Sequence, residues 1–530
     1  MFSTLWRLAL PVSIALCTPG SAFASDQIFE NTTIPGSVTW SDGDVIIRGW
    51  CSLSAGSTTI TVTDGNIRIE GVLVGSGANG ATYSEHGHSC KPVVLPRSGG
   101  DGDDGKSLSL VTTRSENSSR GGDIINEGVI YLNGGNGGDG DDGDSACENS
   151  STHCVLNNVQ TGASAGHGGT GGWLYVNAAH DYNGVFGAVN ANGGHGGISG
   201  NQGSMARLST NAGAEPPGGY GGFGGTVVLS GQGTAYAGQI VANGGNGGRG
   251  GDASFDKANL VRHGGNAGVA GPGGTVLVSF PSISAGMYII ANGGDGDKGG
   301  TGSWSFGAQE ACGVCASGAD GGQGGIGGHG GQGGSVQLVG DLDAAPAVGT
   351  ILAYGGHGGP GGDPGRAGTK DCVNPCESFL TSAEGATAGD GGCGGWVGIY
   401  SFAATAGILY VDCYGGNAGD GGNGGETVNC PPNTNISGRG GDGVIGGTGG
   451  CGGTVDALDA SGLFTFNVNV CGGNGGHGGN GGSGCPFGQG ATGGPVGATG
   501  LYYLNSSLQP LSCAPLVGEN GNNGNSNCGG

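Results

Sequence analysis

The sequence predicts an all-β repeat protein, a β-solenoid-like stack of two-strand units linked by glycine-rich excursions of polyglycine-II type. Three observations carry that expectation. Short segments ending in two glycines recur along the chain. A strand-like segment precedes each of them, and runs of the form G-G-x fill the intervals between units.

The recurrent segments are GVIYLNGG (128–135), GAVNANGG (187–194), GQIVANGG (238–245), MYIIANGG (287–294), GTILAYGG (349–356), LYVDCYGG (409–416) and FNVNVCGG (466–473). Their third position is always branched: Ile130, Val189, Ile240, Ile289, Ile351, Val411, Val468. Their fifth is small or apolar: Leu132, Ala191, Ala242, Ala291, Ala353, Cys413, Val470. Apolar character at alternate sites is the pattern of a strand with one buried face. Successive copies lie 59, 51, 49, 62, 60 and 57 residues apart, the mark of a repeat architecture with insertions.

The preceding strands read GKSLSLV (105–111), GWLYV (172–176), GTVVL (225–229), GTVLV (274–278), GSVQL (334–338), GWVGIY (395–400) and GTVDAL (453–458). One unit is therefore strand, short turn, strand, and a long excursion back to the next unit. The stretch TTITVTDGNIRIEGVLVGSG (58–77) reads as β-helix rungs that lack the excursion. No stretch has helical periodicity.

Glycine supplies 136 of 530 residues and proline 19, a proportion that often marks disorder. The runs nevertheless recur once per unit and in the same place. An extended chain with three residues per turn makes no internal hydrogen bonds. With glycine at two positions of three, neighbouring backbones can approach and satisfy each other's N–H and C=O groups. Collagen is excluded, because it needs one glycine in three with abundant proline. Ordering so much glycine is costly, at roughly 1–2 kcal/mol of backbone entropy per residue. Main-chain bonding, stacking of units and crosslinks must offset that cost.

The chain begins with Arg7, an apolar stretch Leu8–Leu16 and a small-x-small pattern at Ala22-Phe23-Ala24, which read as a secretory leader over residues 1–24. The expected organisation continues with an N-terminal β cap and first rungs (25–77), a glycine-rich repeat region (78–500), and a C-terminal cap with a polar tail (501–530). Export to the extracellular space or cell surface follows from the leader. No later segment is apolar enough to cross a bilayer.

Of the 17 cysteines, one falls in the leader, and the even remainder suits disulfides in an oxidising compartment. Cys147/Cys154, Cys312/Cys315 and Cys372/Cys376 are close neighbours within excursions. Cys393 and Cys451 occupy matching GGCGG sites, and Cys413 and Cys471 each follow twenty residues later, which suggests equivalent bridges in consecutive units. Cys312-x-x-Cys315 reads as a simple bridge in an exported chain.

A formal charge of −24 disfavours nucleic acid and anionic lipid as partners. The segment GDGDDGKS (100–107) fits the phosphate-loop pattern, yet its aspartates repel phosphate and a strand follows where a helix is needed. Asp101, Asp103 and Asp104 form one acidic cluster, Asp139, Asp141, Asp142 and Asp144 another, and Asp295 and Asp297 a third. Such clusters are either solvated turns or calcium ligands, since calcium takes six to eight oxygens. His167, His195, His263, His329, His357 and His477 lie in or beside glycine runs, as a metal-binding ladder or as polar residues facing solvent. Sequons stand at Asn31, Asn117, Asn149, Asn435 and Asn505.

The alternation of short strands with ANGGNGG and GGxGGTV resembles large bacterial extracellular repeat proteins of the glycine-rich adhesin or haemagglutinin type. The G-G-x runs are also similar to the polyglycine-II sandwiches of phage tail-tip adhesins and of a springtail antifreeze protein. The likeness spans roughly residues 66–500. It implies a secreted or surface-displayed structural or adhesive protein without enzymatic activity. Its partners would be a surface or matrix glycan or protein, or further copies of itself, with no nucleic acid and no membrane insertion. The inserts at 145–165, 303–320, 370–388 and 426–437 are the expected contact points. Ice binding and a filament or matrix subunit are the alternatives, with a polysaccharide-acting solenoid enzyme behind them.

Overall fold

The computed structural model describes residues 25–83, 96–116, 121–143, 162–201, 215–253, 263–284, 286–303, 305–306, 321–343, 349–365, 367–368, 382–403, 406–426, 439–483 and 487–523. No helix occurs among them; Ser305–Phe306 pairs separately with Ala367–Gly368, and the other 25 of the 27 strands join into one sheet. Pairing within it is parallel throughout, apart from Ser507–Leu508, which folds back antiparallel on Leu501–Leu504. A parallel sheet whose successive members come from successive coils is a β-solenoid.

Each coil has up to three sides. The first row contains Ser37–Ser41, Ser57–Thr63, Ser107–Thr113, Trp173–Ala178 and Thr226–Gly231, and ends with Trp396–Ser401, Thr454–Asp459 and Leu501–Leu504. Another row carries the recurrent segments, with Val129–Tyr131 between Val72–Val74 and the end of Tyr182–Asn190, and Gly349–Leu352 beside Gly407–Asp412. Between them lies a third row, which the sequence signalled only at Ile67–Ile69: Gln27–Glu30, Val45–Arg48, Ile67–Ile69, Ile124–Asn126 and the starts of Tyr182–Asn190 and Thr234–Val241. The units are therefore three-sided where two strands were expected, and they narrow to two sides in the last coils.

The core follows the sequence pattern. Ile130, Val189, Ile240, Ile289, Ile351 and Val411 are each at most 1% exposed, and every fifth-position residue from Leu132 to Val470 is fully buried. They meet the inward residues of the first row, such as Leu174 and Val176, Val227 and Leu229, Val276 and Val278. Burial of each large aliphatic side chain contributes about 1.5–3 kcal/mol. Alanine at the fifth position leaves room for the opposite row.

The excursions form a two-layer plate attached to this core. From each recurrent segment the chain runs outward in G-G-x triplets, and after the insert a second run returns. Gly134 donates to the Asn192 carbonyl of the next outgoing run at 2.8 Å, while Gly135 donates to Asp103 of the preceding return run at 2.7 Å. Gly169, on the return run, donates to the Gly135 carbonyl. Each run thus bonds to neighbours in its own layer and across the plate, with a period of three residues and no bonds inside the run, as a polyglycine-II packing requires. One chain of such bonds zigzags without interruption from Gly135 through Gly169, Gly194, Gly222 and Gly245 onward to Gly497, at 2.7–2.9 Å.

Glycine is required by this spacing. A Cβ on Gly244 would overlap the Gly271 carbonyl oxygen, and one on Gly245 would overlap that of Gly194. Two of every three positions therefore face backbone, and only x faces outward.

Candidate functional site

Apart from the prolines Pro272, Pro360 and Pro495, the x residue of a triplet has its own N–H to satisfy, and in the columns described below no backbone acceptor takes it. Where the preceding coil carries Asn, Asp or His at the matching position, that side chain supplies the acceptor. Asn192 N–H donates to Asn133 Oδ1, Asn243 N–H to Asn192 Oδ1, Asn292 N–H to Asn243 Oδ1 and Tyr354 N–H to Asn292 Oδ1, each at 2.9 Å. One triplet farther out, a parallel ladder runs Asn136–His195–Asn246–Asp295–His357–Asn417–Asn474 at 2.7–3.0 Å. The acceptor in every rung is an atom bonded to Cγ: Oδ1 of Asn or Asp, or Nδ1 of His. This common reach explains why those three residue types recur at x.

All six histidines of the glycine runs accept in this way. The N–H groups of Tyr220, Asn246, Gln323, Asp390, Asn417 and Glu519 donate to Nδ1 of His167, His195, His263, His329, His357 and His477 at 2.9–3.1 Å. An accepting Nδ1 carries no proton, so the ring proton of these neutral imidazoles resides on Nε2. No two of the six occupy adjacent rungs of one column, so they do not assemble into a histidine ladder.

The acidic clusters are divided by the same three-fold geometry. Asp101 and Asp104 lie on the return face and accept from the N–H groups of His167 and Thr170 at 2.8 and 2.7 Å. Asp139 and Asp142 lie on the opposite face and accept from Ile198 and Asn201. Asp103 and Asp141 occupy slots that deeper coils give to glycine, and the nearly buried Asp141 pairs with Arg97 at 3.1 Å. Asp144 lies outside the described residues. Among the described residues, the three-residue group that brings metal-ligand atoms within 4.8 Å of one another is Asp123, His180 and Asp181, at a corner of the coil. There too a ladder runs, through Asp44, Asn66, Asp123, Asp181 and the Thr234 N–H. Lys106 of the phosphate-loop-like segment donates to the Leu53 carbonyl, and Ser107 opens a strand.

The cysteines pair along columns. Cys393–Cys451 joins matching sites of consecutive return runs, and Cys471–Cys513 joins consecutive outgoing runs. The expectation of equivalent bridges twenty residues apart is corrected: Cys413 is a buried free thiol. It stands at the fifth position, where its neighbours are Ala353 and Val470, so its sulfur faces the core and cannot reach the plate surface. Burial pushes its pKa well up. Cys147, Cys154, Cys312, Cys315, Cys372 and Cys376 lie outside the described residues, as does most of each insert named above.

On the outgoing face a groove follows the line where the plate joins the recurrent strands. Its lining includes Asn192, Asn243, Asn292, His195, Asn246, Asp295, His357, Tyr354 and Tyr414. The Tyr354 and Tyr414 rings stack at 4.0 Å between centroids. The Tyr354 hydroxyl donates to Asp412 Oδ2 at 3.2 Å. Partial burial raises the pKa of Asp412, against hydrogen bonds from Tyr354 and Asn469 that favour its charged form. Burial and then the charge of Asp412 raise both tyrosine hydroxyls. The sequence displayed this column openly as the sixth position of each repeat: Asn133, Asn192, Asn243, Asn292, Tyr354, Tyr414, Cys471.

Comparison with family models, curated proteins and solved structures finds no match.

Proposed function

We propose that this chain is a secreted or surface-displayed structural and adhesive repeat protein that works without catalysis. The observation that carries this reading is the uninterrupted zigzag of main-chain hydrogen bonds from Gly135 to Gly497, which ties the successive outgoing and return runs between them into one plate. A plate so bonded holds the side chains of its outer faces in fixed columns, and it fixes the points where the inserts depart. Rigid scaffolds that project variable segments are suited to recognition. Two disulfides and the absence, among the described residues, of a helix able to cross a membrane are compatible with work outside the cell. The test is binding of the purified protein to intact cells and to immobilised matrix glycans. Saturable binding is expected, and no binding to any surface counts against the reading.

A second reading, ice binding, is favoured by one feature of the N-terminal coils. Their first row presents outward columns of hydroxyls: Ser37, Thr59 and Ser109; Thr39 and Thr61; Ser41, Thr63 and Thr113. Thermal hysteresis of a purified sample decides it, and its absence removes this alternative.

A further inference from the structure

We infer that the groove beside Tyr354 and Tyr414 is a binding site for a neutral, unbranched polysaccharide lying along the solenoid axis. The inference deepens the adhesive reading and rests on it.

The first support is the state of the groove's polar atoms. Because the Oδ1 atoms of Asn192, Asn243 and Asn292 are held by backbone N–H groups of the next coil, each carboxamide has one orientation. Among the described residues no hydrogen bond takes up their Nδ2 groups, and the three residues line the groove, so they supply it with a row of donors. His195 and His357 add Nε2–H donors for the same reason. Donors therefore repeat once per coil, at the strand spacing of about 4.8 Å, close to the length of one pyranose ring. A polymer of identical hydroxylated units matches such a row.

The second support is the aromatic pair. Stacked tyrosines offer an apolar face with a polar edge, which suits the C–H face of a sugar ring with hydroxyls at its rim. The third is charge. Asp295 lines the groove, Asp412 stands behind Tyr354, and no cationic side chain lines it. Polyanions are disfavoured in a protein of net charge −24. A peptide strand is disfavoured too, since the plate's main chain is already paired: Gly193 donates to Asn243 and Gly194 to Gly169.

The test uses the full chain and affinity electrophoresis in gels containing soluble neutral glucans, mannans or xylans, with a polyuronate as the anionic control. Retardation by at least one neutral polymer is expected, with none by the polyuronate. Asn243→Asp keeps an acceptor for the Asn292 N–H, as Asp295 does in the next column, but removes the Nδ2 donors. It is expected to weaken binding about tenfold while thermal melting stays within a few degrees. Tyr414→Ala is expected to do the same. If both variants bind as the parent does, or if the polyuronate is the preferred polymer, the inference is overturned. If the parent adheres to cells yet no neutral polymer retards it, the groove assignment fails and the adhesive reading stands. If it binds neither, both fall.

Discussion

The backbone N–H of Asn246 donates to Nδ1 of His195 at 3.0 Å, across a sequence distance of 51 residues. A residue that looks like a tolerated surface position is thereby a structural acceptor, and its ring has one tautomer. Nitrogen-15 NMR of the imidazoles at neutral pH should find the Nε2–H form for all six histidines of the glycine runs. Mixed tautomers would contradict the ladders.

Substitution at a ladder histidine should follow acceptor geometry rather than size. His357→Asn preserves an acceptor on Cγ for the Asn417 N–H and should leave the melting temperature nearly unchanged. His357→Leu removes it and should cost about 0.5–1.5 kcal/mol, read from chemical denaturation.

Glycines of the plate and glycines of the turns should respond oppositely to alanine. Gly245→Ala places a methyl group against the Gly194 carbonyl, with backbone on both sides. A loss of about 1–3 kcal/mol or more is expected. Gly56→Ala meets nothing within 4 Å at an ordinary φ, and should be neutral or slightly stabilising.

Peptide mapping under non-reducing conditions should recover Cys393 linked to Cys451 and Cys471 linked to Cys513. Cys51 and Cys413 should alkylate only after denaturation. Each bridge contributes about 2–4 kcal/mol, so reduction should loosen the last coils first. A Cys393–Cys413 peptide would refute this column pairing.

Burial pushes the Tyr182 hydroxyl from about 10 up to about 12. The folded protein holds this proton where the unfolded chain releases it, so stability should fall as pH rises from 10 towards 12. Alkaline denaturation of Tyr182→Phe should show a shallower decline across that window. An identical decline would place the source elsewhere.

Much of the fold was legible because solenoid coils repeat one burial pattern. Ile130, Ile240 and Ile289 stand at equal offsets before their glycine pairs, and all are buried. The additional row was legible at Ile67–Ile69, inside the stretch read as β-helix rungs, but not at Ile124–Asn126, where three residues are too few for a pattern. The acidic clusters were legible as runs of carboxylates but their placement was not, because neighbours in sequence, such as Asp103 and Asp104, occupy different sides of a three-fold run. The sixth-position column was visible in the aligned repeats. Its role was not, because an Asn at x looks solvent-tolerant until the N–H of the next coil, 49–59 residues away, is seen to need it.

Amide hydrogen exchange on the native protein, with disulfides intact, tests the plate most directly. Glycine amides such as Gly135, Gly194 and Gly245 should be protected to a degree comparable with strand residues such as Val227 and Val276. Exchange of those glycines at the rate of an unstructured peptide would contradict the account.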